Sequence, residues 1–154
     1  MFDTIAGLPL HPLVVHAVVV LLPLMALVTI AVALRPAWRS VAPWVVVADA
    51  AVLVCAFVAK ETGEQFQGRL SRLRGGAVVA KEHADQGALL PYFALALLVA
   101  GVVVWFARRR SGLTAVSVVL AVVTGLAAIG WTVVVGHSGA VDVWSGVVSS
   151  GAAD

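Results

Sequence analysis

Four histidines are the residues of this sequence whose side chains are best suited to chemistry. His11 and His16 lie five residues apart in HPLVVH, His83 lies in HADQG, and His137 lies in GHSG. Neutral imidazole is the commonest metal ligand in proteins, and it is also an axial ligand of b-type haem. The four side chains can therefore form a metal or haem site if the fold brings them to one place.

The composition is that of a membrane protein. Of the 154 residues, 62% are hydrophobic and 12% are charged, whereas a typical soluble domain is about half apolar and about a quarter charged. A membrane-spanning helix needs about 20 apolar residues, and four runs have about that length, at residues 13–34, 41–59, 87–107 and 113–135. The chain is therefore expected to form one four-helix transmembrane domain over residues 1–154, an all-α integral membrane bundle.

The connections between the four runs predict the topology. RPAWRS and RRRSG are tight turn or stop signals, so the helices that they join are expected to be antiparallel neighbours in an up-down bundle. The linker between the second and third runs is longer, and it carries Phe66, Leu70 and Leu73 at i, i+4 and i+7. This spacing predicts a short amphipathic helix at the membrane surface, and a disordered basic loop is the alternative.

The orientation follows from the basic residues. The two short loops hold five arginines within very few residues, whereas the other five Lys and Arg are spread over the much longer linker. Because basic residues concentrate in short cytoplasmic loops, the two short loops are expected to be cytoplasmic and both termini outside. The same threading brings all four histidines to the outer face, where Glu64 joins them from the end of the second helix. The basic residues flank the membrane segments, so a nucleic-acid partner is not expected.

Two kinds of site are consistent with these side chains. The pair His16 and His83 predicts axial ligation of haem b, with Gly87 four residues after His83 leaving room for a flat macrocycle. Iron, copper or zinc is the alternative. Its candidate ligands are His11, His16, Glu64, His83 and His137. Residues five apart on a regular helix point about 140° apart, so His11 and His16 can share a ligand only if His11 lies at the helix cap. Histidines that merely cap helices, without any cofactor, remain a further interpretation.

Asp49 is an acidic residue inside the second hydrophobic run. Ionisable residues inside a membrane are costly, and they usually face a partner or a cavity. Asp49 is therefore interpreted either as a proton site or as a protonated carboxyl group bonded to Thr29, Ser117 or Thr124 on neighbouring helices.

Hydrolytic and nucleotide-driven chemistry has no support in the sequence. It contains no phosphate-binding loop, nucleophile elbow, HExxH motif or paired CxxC motif. A stand-alone enzyme is accordingly not expected.

The ordered motifs HPLVVH, TGE, HADQG and GHSGAV resemble the bacterial four-helix membrane family known as domain of unknown function 2231. The resemblance covers essentially the whole chain. Its matching positions are His11, Pro12, His16, Thr62, Gly63, Glu64, His83, Gly87, His137 and Gly139. The chain departs from the family pattern at Val135 and Gly136, where the family has more glycines and a basic residue before the last histidine. The resemblance implies a bacterial four-helix protein of the inner membrane. Family members sometimes occur joined to electron-transfer modules such as Rieske or cytochrome domains, which is compatible with a redox role, but the family has no established activity to carry over.

Two functions are compatible with the sequence. The first is a module in the lipid bilayer that binds haem b or a metal ion for electron transfer or metal handling beside a larger membrane or redox protein. The second is a cofactor-free interaction or assembly subunit. Either one can work as a homo-oligomer.

Overall fold

The computed structural model describes residues 4–5, 8–73 and 80–151. Two short antiparallel strands, β1 (Thr4–Ile5) and β2 (Leu8–Pro9), precede the helices. The helices are α1 (Leu10–Leu34), α2 (Ala42–Leu73), α3 (Lys81–Gly87), α4 (Leu90–Ala107) and α5 (Thr114–Gly151).

Four stretches of the described chain are long and apolar enough to cross a membrane, which confirms the expected all-α four-helix membrane bundle. They are Leu10–Leu34, Pro36–Leu73, Lys81–Ala107 and Thr114–Asp142. Lipid is the natural neighbour of their outer faces, because large apolar side chains such as Trp44 and Leu24 are exposed there. The protein is therefore a multi-pass membrane protein.

The helices form a four-membered ring. Helix α1 packs against α2 and α5, and α4 packs against the same two helices from the other side. Tight 3-10 turns at Pro36–Val41 and Ser111–Leu113 join α1 to α2 and α4 to α5. The turns make consecutive helices antiparallel neighbours, as expected. Small residues such as Ala26, Ala94 and Ala128 are fully buried between the helices, which lets the helices approach closely.

Helix α2 is longer than the hydrophobic run at its start. Its 32 residues extend over about 48 Å at 1.5 Å per residue, more than the roughly 30 Å of a hydrocarbon layer. The amphipathic linker segment is thus not a separate surface helix in the described residues, because Glu61–Leu73 continues α2 without a break. Glu, Gln, Arg and Leu, which favour a helix, make up most of this segment despite its two glycines, and Lys60 pairs with Glu64 at 2.7 Å across one turn.

The third membrane stretch consists of two helices. Helix α3 ends at Gly87, and α4 begins at Leu90 with Pro91 in its first turn, where the missing N–H of proline costs nothing. Helix α5 continues past the expected end at Val135, so His137 lies on a helix. We call the end of the bundle that carries His11 and His83 the histidine end, and the opposite end, with its five arginines, the arginine end.

Candidate functional site

His11 ties the start of α1 to the end of α2. Its Nδ1 donates a hydrogen bond to the carbonyl oxygen of Ala59 at 3.1 Å. The ring lies against Gly63, where an added Cβ would come within 2.9 Å of Cε1 of His11. Since real Cβ contacts are almost never so short, the imidazole occupies space that only glycine leaves open.

His83 makes the same contacts between α3 and α5. Its Nδ1 donates to the carbonyl oxygen of Val135 at 3.1 Å, and a Cβ on Gly139 would lie 2.9 Å from Cε1 of His83. Both glycines stand four residues, about one helical turn, after the residue whose carbonyl accepts the bond. We call this arrangement of an imidazole, a carbonyl oxygen and a glycine a histidine seat. The histidine end contains two of them.

A hydroxyl group completes each seat. Thr62 Oγ1 donates to the carbonyl oxygen of Ala59 at 3.1 Å, and it also reaches the carbonyl of Val58 at 2.7 Å. Ser138 Oγ donates to the carbonyl oxygen of Val135 at the same 3.1 Å. Each accepting carbonyl is thus shared by an imidazole and by the hydroxyl that precedes the glycine.

The carbonyl partners determine which ring nitrogen carries the proton. A carbonyl oxygen only accepts hydrogen bonds, so Nδ1 is protonated in both rings, and in the neutral imidazole Nε2 keeps a free lone pair. No hydrogen bond from another described residue reaches either Nε2 atom. Metal-ligating histidines have this arrangement, in which a backbone carbonyl or a similar group holds the second ring nitrogen.

Both imidazoles line one cavity of about 300 Å³ at the histidine end. Its walls are mainly apolar, with contributions from Val15, Val18, Phe66, Leu70, Leu90 and Val135. The ring of Phe66 stacks on His11 with 6.0 Å between the centroids. Gly87 also lines the cavity, and a Cβ added to it would meet nothing within 4 Å. The cavity can thus accept a largely apolar ligand that presents a group able to bind Nε2.

The other two histidines lie outside the cavity. His16 is exposed, and its Nδ1 bonds to the carbonyl of Pro12 within α1. His137 is exposed on α5. The reason for the position of His16 is geometric: α1 already begins at Leu10, so His11 is inside the helix and the two rings point about 140° apart. The structure brings His11 together with His83, whereas the sequence favoured His16.

Acidic groups supply little coordination at this cavity. Glu64 and Asp142 line it. Both residues are exposed, and the carboxylate of Glu64 is paired with Lys60 at 2.7 Å. Within the described residues, no group of three or more His, Cys, Asp or Glu side chains is placed to hold a metal ion. Zinc sites use three or four protein ligands, whereas the described residues bring two imidazoles to this cavity.

Asp49 is separate from the cavity. It is fully buried, and its Oδ2 accepts a hydrogen bond from Thr29 Oγ1 at 3.2 Å, which is one of the partners expected for it. Gly101 on α4 lies against the same oxygen, since an added Cβ there would come within 2.8 Å. Oδ1 of Asp49 has no partner among the described residues. Asp49 thus joins three helices at the centre of the bundle.

The residues that contact the two imidazoles could not be identified from side-chain patterns in the sequence. Gly63 and Gly139 were visible only as matches to family motifs, and Ala59 and Val135 contribute backbone atoms that no side-chain pattern reveals. The usable signal is the repeat of a hydroxyl residue followed by glycine, Thr62-Gly63 and Ser138-Gly139, just after the second and fourth hydrophobic runs.

Comparison with known proteins agrees with this architecture. A family model described as predicted membrane protein (DUF2231) matches residues 7–152, which includes both histidine seats. Neither curated proteins nor solved structures gave a match. Because the family model covers nearly the whole chain, this protein belongs to the predicted membrane protein family DUF2231.

Proposed function

We propose that the protein binds haem b in the cavity at the histidine end, where His11 and His83 would hold the iron, and that it transfers electrons within the membrane. The observation that carries the proposal is the doubled histidine seat. In each seat the Nδ1 proton is held by a backbone carbonyl at 3.1 Å, which leaves Nε2 as the free donor atom to iron.

Haem fits this arrangement better than a bare ion does. A porphyrin supplies four of the six iron ligands, so the protein needs to add only two imidazoles. The described residues place two imidazoles, and no cluster of three ligating side chains, at the cavity. Its volume of about 300 Å³ lies at the lower end of the range typical for ligand pockets, and its apolar walls suit a macrocycle.

Residues around the cavity would adjust the properties of a bound haem. When bound, haem supplies one-electron chemistry. The carbonyls of Ala59 and Val135 fix the ring orientation and raise the basicity of the ligating nitrogen. Phe66 covers one imidazole, and the apolar walls would limit the access of water to a bound haem and so help to set its reduction potential.

The electrons need a source and an acceptor, and we propose a larger membrane redox protein as the partner. The expected setting is the bacterial inner membrane with the histidine end outside, because the five arginines of the opposite end suit the cytoplasmic side. In that orientation the haem would lie near the outer surface.

Purification after expression in cells supplied with a haem precursor tests the proposal. We expect a Soret band, a low-spin spectrum typical of two imidazole ligands, and about one haem per chain by the pyridine haemochrome assay. Elemental analysis of the same sample separates the alternatives. Iron, copper or zinc without a Soret band would favour metal handling, and neither haem nor metal would leave the cofactor-free assembly subunit.

A further inference from the structure

Arg39, in the 3-10 turn between α1 and α2, is a buried cation, and none of the ion pairs between described residues includes it. Only 9% of the residue is exposed. Its Nη1 donates to Thr114 Oγ1 and its Nη2 donates to the carbonyl oxygen of Ala33, both at 3.2 Å. Both partners are neutral, and a guanidinium group stays charged in proteins. A buried charge is costly unless it is paired, so an anionic partner would stabilise this guanidinium group.

The donors of Arg39 are also only partly used. A guanidinium group has five N–H donors, and two of them have partners here. The Nε atom is buried without any partner among the described residues. One N–H on each terminal nitrogen also has no described acceptor. The fork geometry of this group matches the oxygen atoms of a phosphate.

No carboxylate of the described chain neutralises the arginine end. Its cations are Arg35, Arg39, Arg108, Arg109 and Arg110. The ion pairs found among the described residues join Lys60 to Glu61 and Glu64, and Lys81 to Asp85, all near the histidine end. The nearest acid along the chain, Asp49, is buried in the bundle and bonded to Thr29.

The start of α5 adds to the positive potential. Thr114, the residue that Arg39 contacts, is the first residue of this 38-residue helix. The free N–H groups and the dipole of a helix N-terminus attract anions. Three exposed arginines, Arg108 to Arg110, lie just before it along the chain. The two turns of this end thus bring a buried guanidinium and a helix N-terminus together.

We propose that Arg39 and the start of α5 form a binding site for a phosphate group, supplied by the headgroup of an anionic phospholipid or by phosphate in solution. The position of the site at the end of four membrane-spanning helices places it at the depth of lipid headgroups. Basic pockets between membrane helices bind such headgroups. A bound phosphate would neutralise Arg39 and hold the two turns together.

The test is a binding titration on the purified full chain in detergent. The probes are dihexanoyl phosphatidylglycerol, the zwitterionic dihexanoyl phosphatidylcholine, and inorganic phosphate, with the midpoint of thermal unfolding and native mass spectrometry as readouts. We expect saturable binding of phosphatidylglycerol, with a raised midpoint, and no such effect of phosphatidylcholine. Comparable binding of inorganic phosphate would assign the site to phosphate in solution, and its absence would assign the site to the lipid headgroup.

Charge-matched variants localise the site. Arg39→Gln should weaken phosphatidylglycerol binding by about tenfold or more, as expected for the loss of charged hydrogen bonds. Arg72 is an exposed arginine near the end of α2. Arg72→Gln removes the same charge at a distance from the site, so it should change the binding by less than about twofold. If Arg39→Gln does not fold, Arg39→Lys keeps the charge and loses the fork, and it should still bind several-fold more weakly. Failure of the wild type to bind either phosphatidylglycerol or phosphate, or equal binding by the Arg39 and Arg72 variants, overturns the proposal.

Discussion

The imidazole of His11 rests on Gly63 so closely that a Cβ at this position would lie 2.9 Å from its Cε1 atom. The pair His83 and Gly139 has the same separation, also 2.9 Å. The two helix pairs thus pack in the same way: the imidazole of one helix fills the space left by the missing side chain of a glycine on its neighbour. This relationship holds both rings with Nε2 available, and the function proposed for the cavity depends on it.

Adding a methyl group to either glycine tests the seat. Gly63→Ala or Gly139→Ala should displace the imidazole, break its hydrogen bond to the carbonyl, and cost about 1 to 3 kcal/mol of stability as overpacking. We also expect a clear loss of bound haem, measured as the ratio of Soret to protein absorbance. Gly68→Ala and Gly136→Ala are the controls on the same two helices, because a Cβ at these positions meets nothing within 4 Å.

The controls should keep their haem, and they should gain up to about 1 kcal/mol of stability from the better helix propensity of alanine. Equal haem content in Gly63→Ala, Gly139→Ala and the two controls would show that the close approach of the rings is not needed for the site.

A second prediction concerns the contact that holds α3 against α5. Trp131 Nε1 donates to the carbonyl oxygen of Gln86 at 3.0 Å, and its ring stacks on Phe93 with 5.2 Å between centroids. Trp131→Phe keeps most of the ring and removes the donor, so it should cost about 1 kcal/mol and loosen α3, which carries His83. Trp144→Phe changes a side chain that is 60% exposed and should have no measurable effect.

Thermal unfolding and hydrogen exchange of the α3 amides measure this outcome. Faster exchange in Trp131→Phe than in Trp144→Phe is expected. The same exchange rates in both variants would mean that His83 and the helix ends hold α3 without the tryptophan.

A third prediction concerns Asp49 and distinguishes a hydrogen bond with a purely structural role from a proton site. Asp49→Asn keeps an oxygen that accepts the bond from Thr29, so it should change stability by less than about 1 kcal/mol, because hydrogen bonds between membrane helices average about 0.6 kcal/mol. Asp49→Ala removes the acceptor and leaves a void in the packing, so it should cost about 1 to 2 kcal/mol more. Thermal unfolding in one detergent compares the two variants.

A proton-flux assay in proteoliposomes completes this comparison. We expect the same flux for the wild type and for Asp49→Asn, as for a structural carboxyl group. Loss of flux in a folded Asp49→Asn variant would instead assign Asp49 to a proton path.

The bundle could be predicted from the sequence because lipid imposes a simple requirement. A segment that crosses the bilayer must be apolar and must satisfy its own backbone hydrogen bonds, so four long apolar runs leave little choice of fold. The length of α2 could not be predicted in the same way. Gly63 and Gly68 disfavour a helix locally, and the structure nevertheless continues the helix to Leu73.

For the candidate site, the sequence indicated only the end of the bundle at which the histidines lie. The sequence placed the histidines near one end, but the direction of a ring depends on where its helix begins. Because α1 starts at Leu10, His11 faces the cavity and His16 faces outward, which no composition or spacing rule could decide. The carbonyls of Ala59 and Val135 belong to the backbone, so their role emerges only when the helices are packed.

The most direct measurement compares haem binding by two matched double variants of the purified protein. We expect that His11→Ala with His83→Ala abolishes the Soret band while helical content is kept, whereas His16→Ala with His137→Ala binds about one haem per chain like the wild type. Haem retained without His11 and His83, or lost only when His16 and His137 are replaced, would contradict the proposed haem site.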